Sequence, residues 1–247
     1  MQLLLIVCPL VFLAGLVDSI AGGGGLISLP AFLLAGLPPH TAIATNKLSS
    51  TLGTTISAAR LIRYIDLPLA SVSVIFALLG SALGSRLSLL ADEKLIQHML
   101  LPILVVVAYY VLRKKDLGES SREEASLPRI RMFLLSMLIS LAVGCYDGFY
   151  GPGTGTFLLL LFTGLTKLDV LTASANTKVV NLASNVGSLV IFMLHGKVFY
   201  ALGLPAALFC VLGHYIGSGL VVKNGTRIVR PIILVVLVIL FVKIVFF

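Results

Sequence analysis

Two lysines, Lys47 and Lys178, interrupt otherwise apolar stretches, and each heads a polar stripe. Below Lys47 come Ser50, Thr54 and Ser57, at steps of three, four and three; below Lys178 come Asn181, Asn185 and Ser188, at the same steps. On a helix such positions share one face. Asn46 beside the first lysine, with Asn176 and Thr177 beside the second, adds further donors. Ammonium groups flanked by amides and hydroxyls make a donor set for a small oxyanion. A lysine at bilayer depth costs about 2.5–3.5 kcal/mol on insertion scales, so such a residue has a partner or a task. Snorkelling near a helix end would account for one lysine, and Ser/Thr/Asn helix packing for the stripes. Neither accounts for a lysine at the same position in both.

A second pair of polar residues, Asp18 and Asp147, stands just ahead of two glycine clusters, Gly22, Gly23, Gly24 and Gly25 in one case and Gly151, Gly153 and Gly155 in the other. Three readings of the aspartates stay open: a cap on the helix that follows, an ion pair with a lysine, or a titrating group for proton coupling. Glycine backbone ahead of a short helix can aim N–H groups at an anion. The same glycines also serve close helix packing. His214, inside another apolar segment, has two readings: a titrating group or, favoured, a histidine bonded to a backbone carbonyl.

These residues need elements to hold them, and the composition says of what kind. The 247 residues are 58% hydrophobic and only 11% charged, with a net charge of +8. An ordinary soluble domain has about 25% charged residues. That excludes a sizeable soluble domain, a nucleic-acid-binding module and a secreted disulfide scaffold, and predicts a polytopic helical membrane protein. Apolar segments fall at 2–20, 26–36, 42–59, 67–90 and 95–112, then at 132–149, 156–165, 170–194, 198–221 and 229–247. Segments 26–36 and 156–165 are too short to cross about 30 Å of hydrocarbon at 1.5 Å per residue, so each reads as a broken or half helix.

The two sets of five are repeats. Gly15-Leu-Val-Asp18 recurs as Gly144-Cys-Tyr-Asp147, Ala44-Thr-Asn-Lys47 as Ala175-Asn-Thr-Lys178, and Gly80-Ser-Ala-Leu-Gly84 as Gly213-His-Tyr-Ile-Gly217. Leu101-Pro102-Ile103 recurs as Arg230-Pro231-Ile232. The domains are therefore an N-terminal repeat over 1–112, a basic cytoplasmic linker over 113–131, and a C-terminal repeat over 132–247. Five crossings per half would invert one repeat against the other, the arrangement of many secondary transporters, with the site at the repeat interface. Ten crossings place twelve Lys/Arg inside and four outside; eight place ten and six. The positive-inside rule therefore favours ten, with both termini outside.

Enzyme signatures are missing from the sequence: no H-E-x-x-H, no G-x-S-x-G, and no Gly-Lys-Ser/Thr after the Gly22–Gly25 run. No catalytic residue, metal ligand or cofactor is assigned. Cys8, Cys145 and Cys210 stand singly and read as small buried residues. The N-terminal run lacks a basic start and a cleavage site, and is expected to stay as the first membrane helix. Asn224-Gly-Thr226 matches the glycosylation triplet but falls on the cytoplasmic side of this topology.

The motifs Gly15-Leu-Val-Asp18-Ser-Ile-Ala-Gly-Gly-Gly-Gly25-Leu, Ala44-Thr-Asn-Lys-Leu48 and Tyr146-Asp-Gly-Phe-Tyr-Gly-Pro152, with Lys178, Asn181 and Asn185, resemble the sulfite exporter TauE/SafE family of bacterial membrane permeases. The family often has Asn followed by Lys or Gln in each half; here the second half reads Asn176-Thr-Lys178. The resemblance implies inner-membrane transport of a small sulfur-containing anion such as sulfite, a sulfonate or sulfoacetate. The expected fold is an all-α membrane protein, a polytopic helical bundle of two inverted five-segment repeats with short broken helices. The expected function is secondary export of that anion by alternating access. A membrane scaffold or chaperone, or an anion channel using the same site, stands as the alternative. Expected partners are the anion and the lipid bilayer, with no nucleic acid and with a homodimer left open. The termini are expected in the periplasm.

Overall fold

The structure, a computed structural model, describes residues 2–92, 94 and 127–224. Segments 95–112 and 229–247, most of the 113–131 linker, the Pro102/Pro231 repeat match and the Gly225-Thr226 end of the glycosylation triplet lie outside the described residues. Within them the chain forms α1 (Gln2–Ala21), α2 (Gly25–Leu34), α3 (Pro39–Arg60), α4 (Leu67–Leu90), α5 (Arg129–Phe149), α6 (Thr154–Leu165), α7 (Val170–Leu194) and α8 (Tyr200–Asn224), with one 3₁₀ turn at Ile62–Tyr64. The architecture is all-helical, as the apolar periodicity requires.

Helices α1, α4, α5, α7 and α8 are long and apolar enough to cross a membrane. Their outward faces carry exposed Leu5, Leu13, Ile75, Leu83, Leu138, Val190 and Leu208, while serines, asparagines and lysines lie inside. Apolar outside and polar inside is the distribution a bilayer solvent demands. The chain is a multi-pass membrane protein.

Helix α3 has 22 residues, about 33 Å at 1.5 Å per residue, but carries too many polar groups to face lipid. It lies inside the bundle, packed by α2, α7 and α8. Ten-residue α2 and twelve-residue α6 reach only about 15 and 18 Å, so neither spans the hydrocarbon alone. Helix α2 turns back along α1: Gly24 lies against the Ala14 carbonyl and the Asp18 side chain.

Helix packing exchanges the halves. The first helix of each half packs on the fourth of the other, α1 on α8 and α5 on α4, while α3 packs on α7. Small residues let the backbones approach. A Cβ at Gly84 would sit 1.9 Å from the Cys145 carbonyl oxygen, and one at Gly213 would sit 2.2 Å from that of Phe12. The repeated Gly80/Gly84 and Gly213/Gly217 motifs are therefore the seams of these two pairs.

The contact registers give direction. Ala77 meets Gly144 and Ser81 meets Gly148, so α4 and α5 run parallel; Phe12 meets Gly213 and Ser19 meets Gly217, so α1 and α8 also run parallel. Thr45 meets Phe199, and Ser57 meets His214, which makes α3 parallel to α8. Early Lys47 on α3 reaches late Asn185 on α7, and the turn after α3 packs on α7, so that pair is antiparallel. Equivalent helices of the two halves thus oppose each other, consistent with inverted repeats.

Helix starts are fixed locally. The Asp169 carboxylate accepts the N–H groups of Leu171 and Thr172 at 3.1 and 3.0 Å, capping α7. Asp66 caps α4 through Leu69 and also meets exposed Arg129 of α5 at 3.2 Å. Exposed pairs of this kind contribute about 0–1 kcal/mol.

Candidate functional site

The two glycine breaks meet at the centre of the bundle. Gly22, at φ +75°, lies so close to the Gly155 backbone that a Cβ would fall 2.2 Å from the Gly155 carbonyl carbon. Gly153, left-handed at φ 87°, stands at the start of α6. Only glycine combines such a turn with backbone-on-backbone contact. Sequence reasoning left donor aiming and packing open for these glycines. Close packing is visible at Gly22 and Gly155, and one N–H is aimed at a carboxylate, from Gly24 to Asp18 Oδ1 at 2.9 Å.

Lys47, on α3, reaches across to the other half. Its Nζ lies 2.7 Å from Asp147 Oδ1 and donates to Asn185 Oδ1 on α7 at 3.1 Å. Asp147, at the end of α5, also accepts the Thr154 hydroxyl at 2.7 Å and the hydroxyl of Ser184. The pair is almost entirely shielded, with 2% and 3% of the two side chains exposed. A buried ion pair needs its remaining donors and acceptors satisfied, and here Asn185, Thr154 and Ser184 converge to do so.

Lys178, equally buried on α7, reaches back the other way and donates to the Asp18 backbone carbonyl. That same carbonyl accepts the Gly22 N–H at 2.9 Å. The Asp18 carboxylate faces elsewhere: Oδ1 takes the Gly24 N–H, and Oδ2 lies 3.6 Å from His214 Nε2. The other ring nitrogen of His214 is 2.7 Å from the Ser57 hydroxyl. His214 therefore shares a hydrogen bond with Ser57 of α3 and faces Asp18 of α1, which corrects its reading as a ring tied to a backbone carbonyl. The spacing that suggested a backbone bond carries no information about α1 and α3, which supply both partners.

Asp18, Gly25, Asn46, Lys47, Ser50, Asp147, Gly151, Gly153, Thr154, Gly155, Asn181 and Asn185 line a small polar cavity between the halves. Its volume of about 20 Å³ admits about one water. Lys178, Thr54 and Asn176 lie outside this lining, although all three are buried. Asn176 is turned to its own helix, donating to the Thr172 carbonyl at 2.8 Å. Gly22, Gly23 and Gly24 form the turn behind the cavity. Among the described residues, Asn46 Oδ1, Thr54 Oγ1, Asn176 Oδ1 and Ser188 Oγ are buried with no hydrogen-bond partner.

Two residues that hold Asp147 escaped sequence reasoning, Thr154 and Ser184. Both had a signal: Thr154 is the one hydroxyl inside the second glycine cluster, and Ser184 lies three residues from Asn181 on the same helical face. Of the aspartates, Asp147 pairs with Lys47, while Asp18 accepts the Gly24 N–H and faces His214. Among the described residues the two interior lysines are matched in number by the two aspartates.

The family described as sulfite exporter TauE/SafE matches residues 7–244. A protein of Sinorhizobium sp, named probable membrane transporter protein ORF9, is 35% identical over 91% of this chain and 85% of its own length. The probable membrane transporter protein YfcA of Escherichia coli K12 is 37% identical over 91% and 82% of the two chains. A probable membrane transporter protein of Haemophilus influenzae is 34% identical over 91% and 87%. No solved structure matches the chain.

Proposed function

The chain belongs to the sulfite exporter TauE/SafE family and is a membrane transporter; on that premise we propose that it carries a small sulfur-containing anion by alternating access between the two halves. The anion is of the sulfite, sulfonate or sulfoacetate type. The membrane is the bacterial inner membrane, with both termini in the periplasm. Export is the direction the potential favours, because expelling an anion from a negative interior releases about 2.3 kcal/mol per charge per 100 mV.

The observation that carries the reading is the crossing of the lysines. Among the described residues each half contributes one buried lysine, and each lysine ends on the aspartate that precedes the glycine break of the other half. A separation of the halves that opens the cavity to one side must change both contacts. An anion entering between them competes with Asp147 for Lys47 and finds Asn46, Ser50, Asn181 and Asn185 as further donors. The cavity must widen to admit it, since an oxyanion with four or more heavy atoms exceeds a single water's space.

Counterflow in proteoliposomes tests this. Vesicles loaded with sulfite, sulfate, thiosulfate or sulfoacetate are diluted into the same labelled anion. Transient accumulation of label above equilibrium with at least one anion supports a carrier. Flux without counterflow indicates a channel, and no flux with any anion contradicts the reading.

A further inference from the structure

The charge balance of the interior raises a difficulty that the transport reading must meet. An anion added to two lysines and two aspartates leaves uncompensated negative charge in a low-dielectric interior, which is costly. The halves are not equivalent in how they could meet it. Asp147 is engaged by Lys47, Thr154 and Ser184. Among the described residues its repeat partner, Asp18, meets no lysine side chain with its carboxylate and faces His214 instead. The position equivalent to His214 in the first half is Ser81, so only one half carries an imidazole there.

We propose that Asp18, His214 and Ser57 form a proton-binding site that takes up one proton with each transported anion. This rests on the transport reading and adds the coupling ion to it. In the neutral ring, Ser57 and His214 Nδ1 share a hydrogen bond at 2.7 Å, which leaves Nε2 toward Asp18. At 3.6 Å the Nε2–Oδ2 approach is longer than a hydrogen bond and short enough for an ion pair. A proton arriving on the ring makes an imidazolium directly opposed to the Asp18 carboxylate. It adds one positive charge to the interior as the anion adds its negative charge, and both leave together on the other side. With its proton a singly charged anion crosses without net charge and gains nothing from the potential, whereas a dianion moves one net negative charge and keeps the outward drive.

Asp18 connects this site to the anion. Its side chain lines the cavity, while its carbonyl holds the Lys178 ammonium. His214 itself is not in the cavity lining. Among the described residues the charged and titratable groups around the ring are few. Helix α1 offers Asp18, and α3 offers Arg60, whose guanidinium is turned to the Tyr215 carbonyl and ring. Helix α8 itself offers Cys210 and Tyr215, and α7 offers Lys178 through the Asp18 backbone. Membrane histidine–carboxylate pairs of this kind serve as proton relays.

The test uses proteoliposomes with pyranine inside, the membrane potential clamped by potassium and valinomycin, and sulfate, thiosulfate and sulfoacetate as probes. Wild-type protein should acidify the lumen as the anion enters. His214→Gln should weaken counterflow, since the anion's charge then goes uncompensated, while leaving it measurable, and should lose at least tenfold of the proton movement per anion carried. His214→Ser, which places in this half what the other half has at Ser81, should behave the same way and guards against a folding defect of the first variant. Proton movement retained in both variants, or counterflow lost in both, overturns the proposal. Wild-type counterflow with no proton movement overturns it while leaving the transport reading intact. Absence of wild-type counterflow with every anion removes both.

Discussion

Removing one partner of the Lys47–Asp147 pair should cost far more than removing both. At 2.7 Å and an effective dielectric of about 20, the Coulomb attraction is about 6 kcal/mol. Desolvating each ion costs several kcal/mol, so the net value of the intact pair is small. Breaking it by losing one member leaves a buried charge and costs about 3–5 kcal/mol. The two members are not equally protected. After Lys47→Met the carboxylate keeps the hydroxyls of Thr154 and Ser184, which places this variant at the low end. After Asp147→Leu, which removes both acceptors, the ammonium keeps only the Asn185 side-chain oxygen among its side-chain partners, which places it at the high end. The double variant should lose less than the sum, with a coupling of about 2 kcal/mol or more. Buried Cys8 and Cys210 supply the assay, since a thiol-reactive dye reads them as the bundle opens on heating. Losses that add to within about 0.5 kcal/mol would refute the pair as an energetic unit.

Three further substitutions test the packing of the bundle. Gly22→Ala puts a Cβ into the Gly155 backbone at positive φ and should cost about 3 kcal/mol or more, whereas Gly36→Ala, at φ +82° with nothing within 4 Å, should cost only about 1–2 kcal/mol. Monodispersity and apparent melting temperature in detergent separate the two. Arg60→Gln removes a 2.8 Å bond to the Tyr215 carbonyl and the stacking over its ring, and should cost about 1 kcal/mol with anion flux within twofold of wild type.

The helices were legible because bilayer length and apolar runs leave little choice: 67–90 and 170–194 are the observed α4 and α7 to the residue. Segment 42–59 was read too short, since α3 begins at Pro39, whose fixed φ suits a first helical position. The lysines and aspartates were legible as repeat-related pairs, and the polar face of α3 as an interior one. What one sequence could not give was who meets whom across the halves. The pairing of Lys47 with Asp147, the turning of Asp18 toward His214, and the contact of Gly22 with Gly155 all join residues more than 90 positions apart. Helical periodicity is local information, and these contacts depend on the exchange of α1 and α5 between halves. The charge balance of the interior follows from that exchange. It also turns a site first read as cationic into one whose lysines are already held.

The most direct test of the account is anion counterflow by Lys47→Ala and Lys178→Ala, each reconstituted at the amount of wild-type protein shown to be inserted. The account predicts that either variant loses counterflow with the anion that wild type carries. Full counterflow in both variants would contradict it.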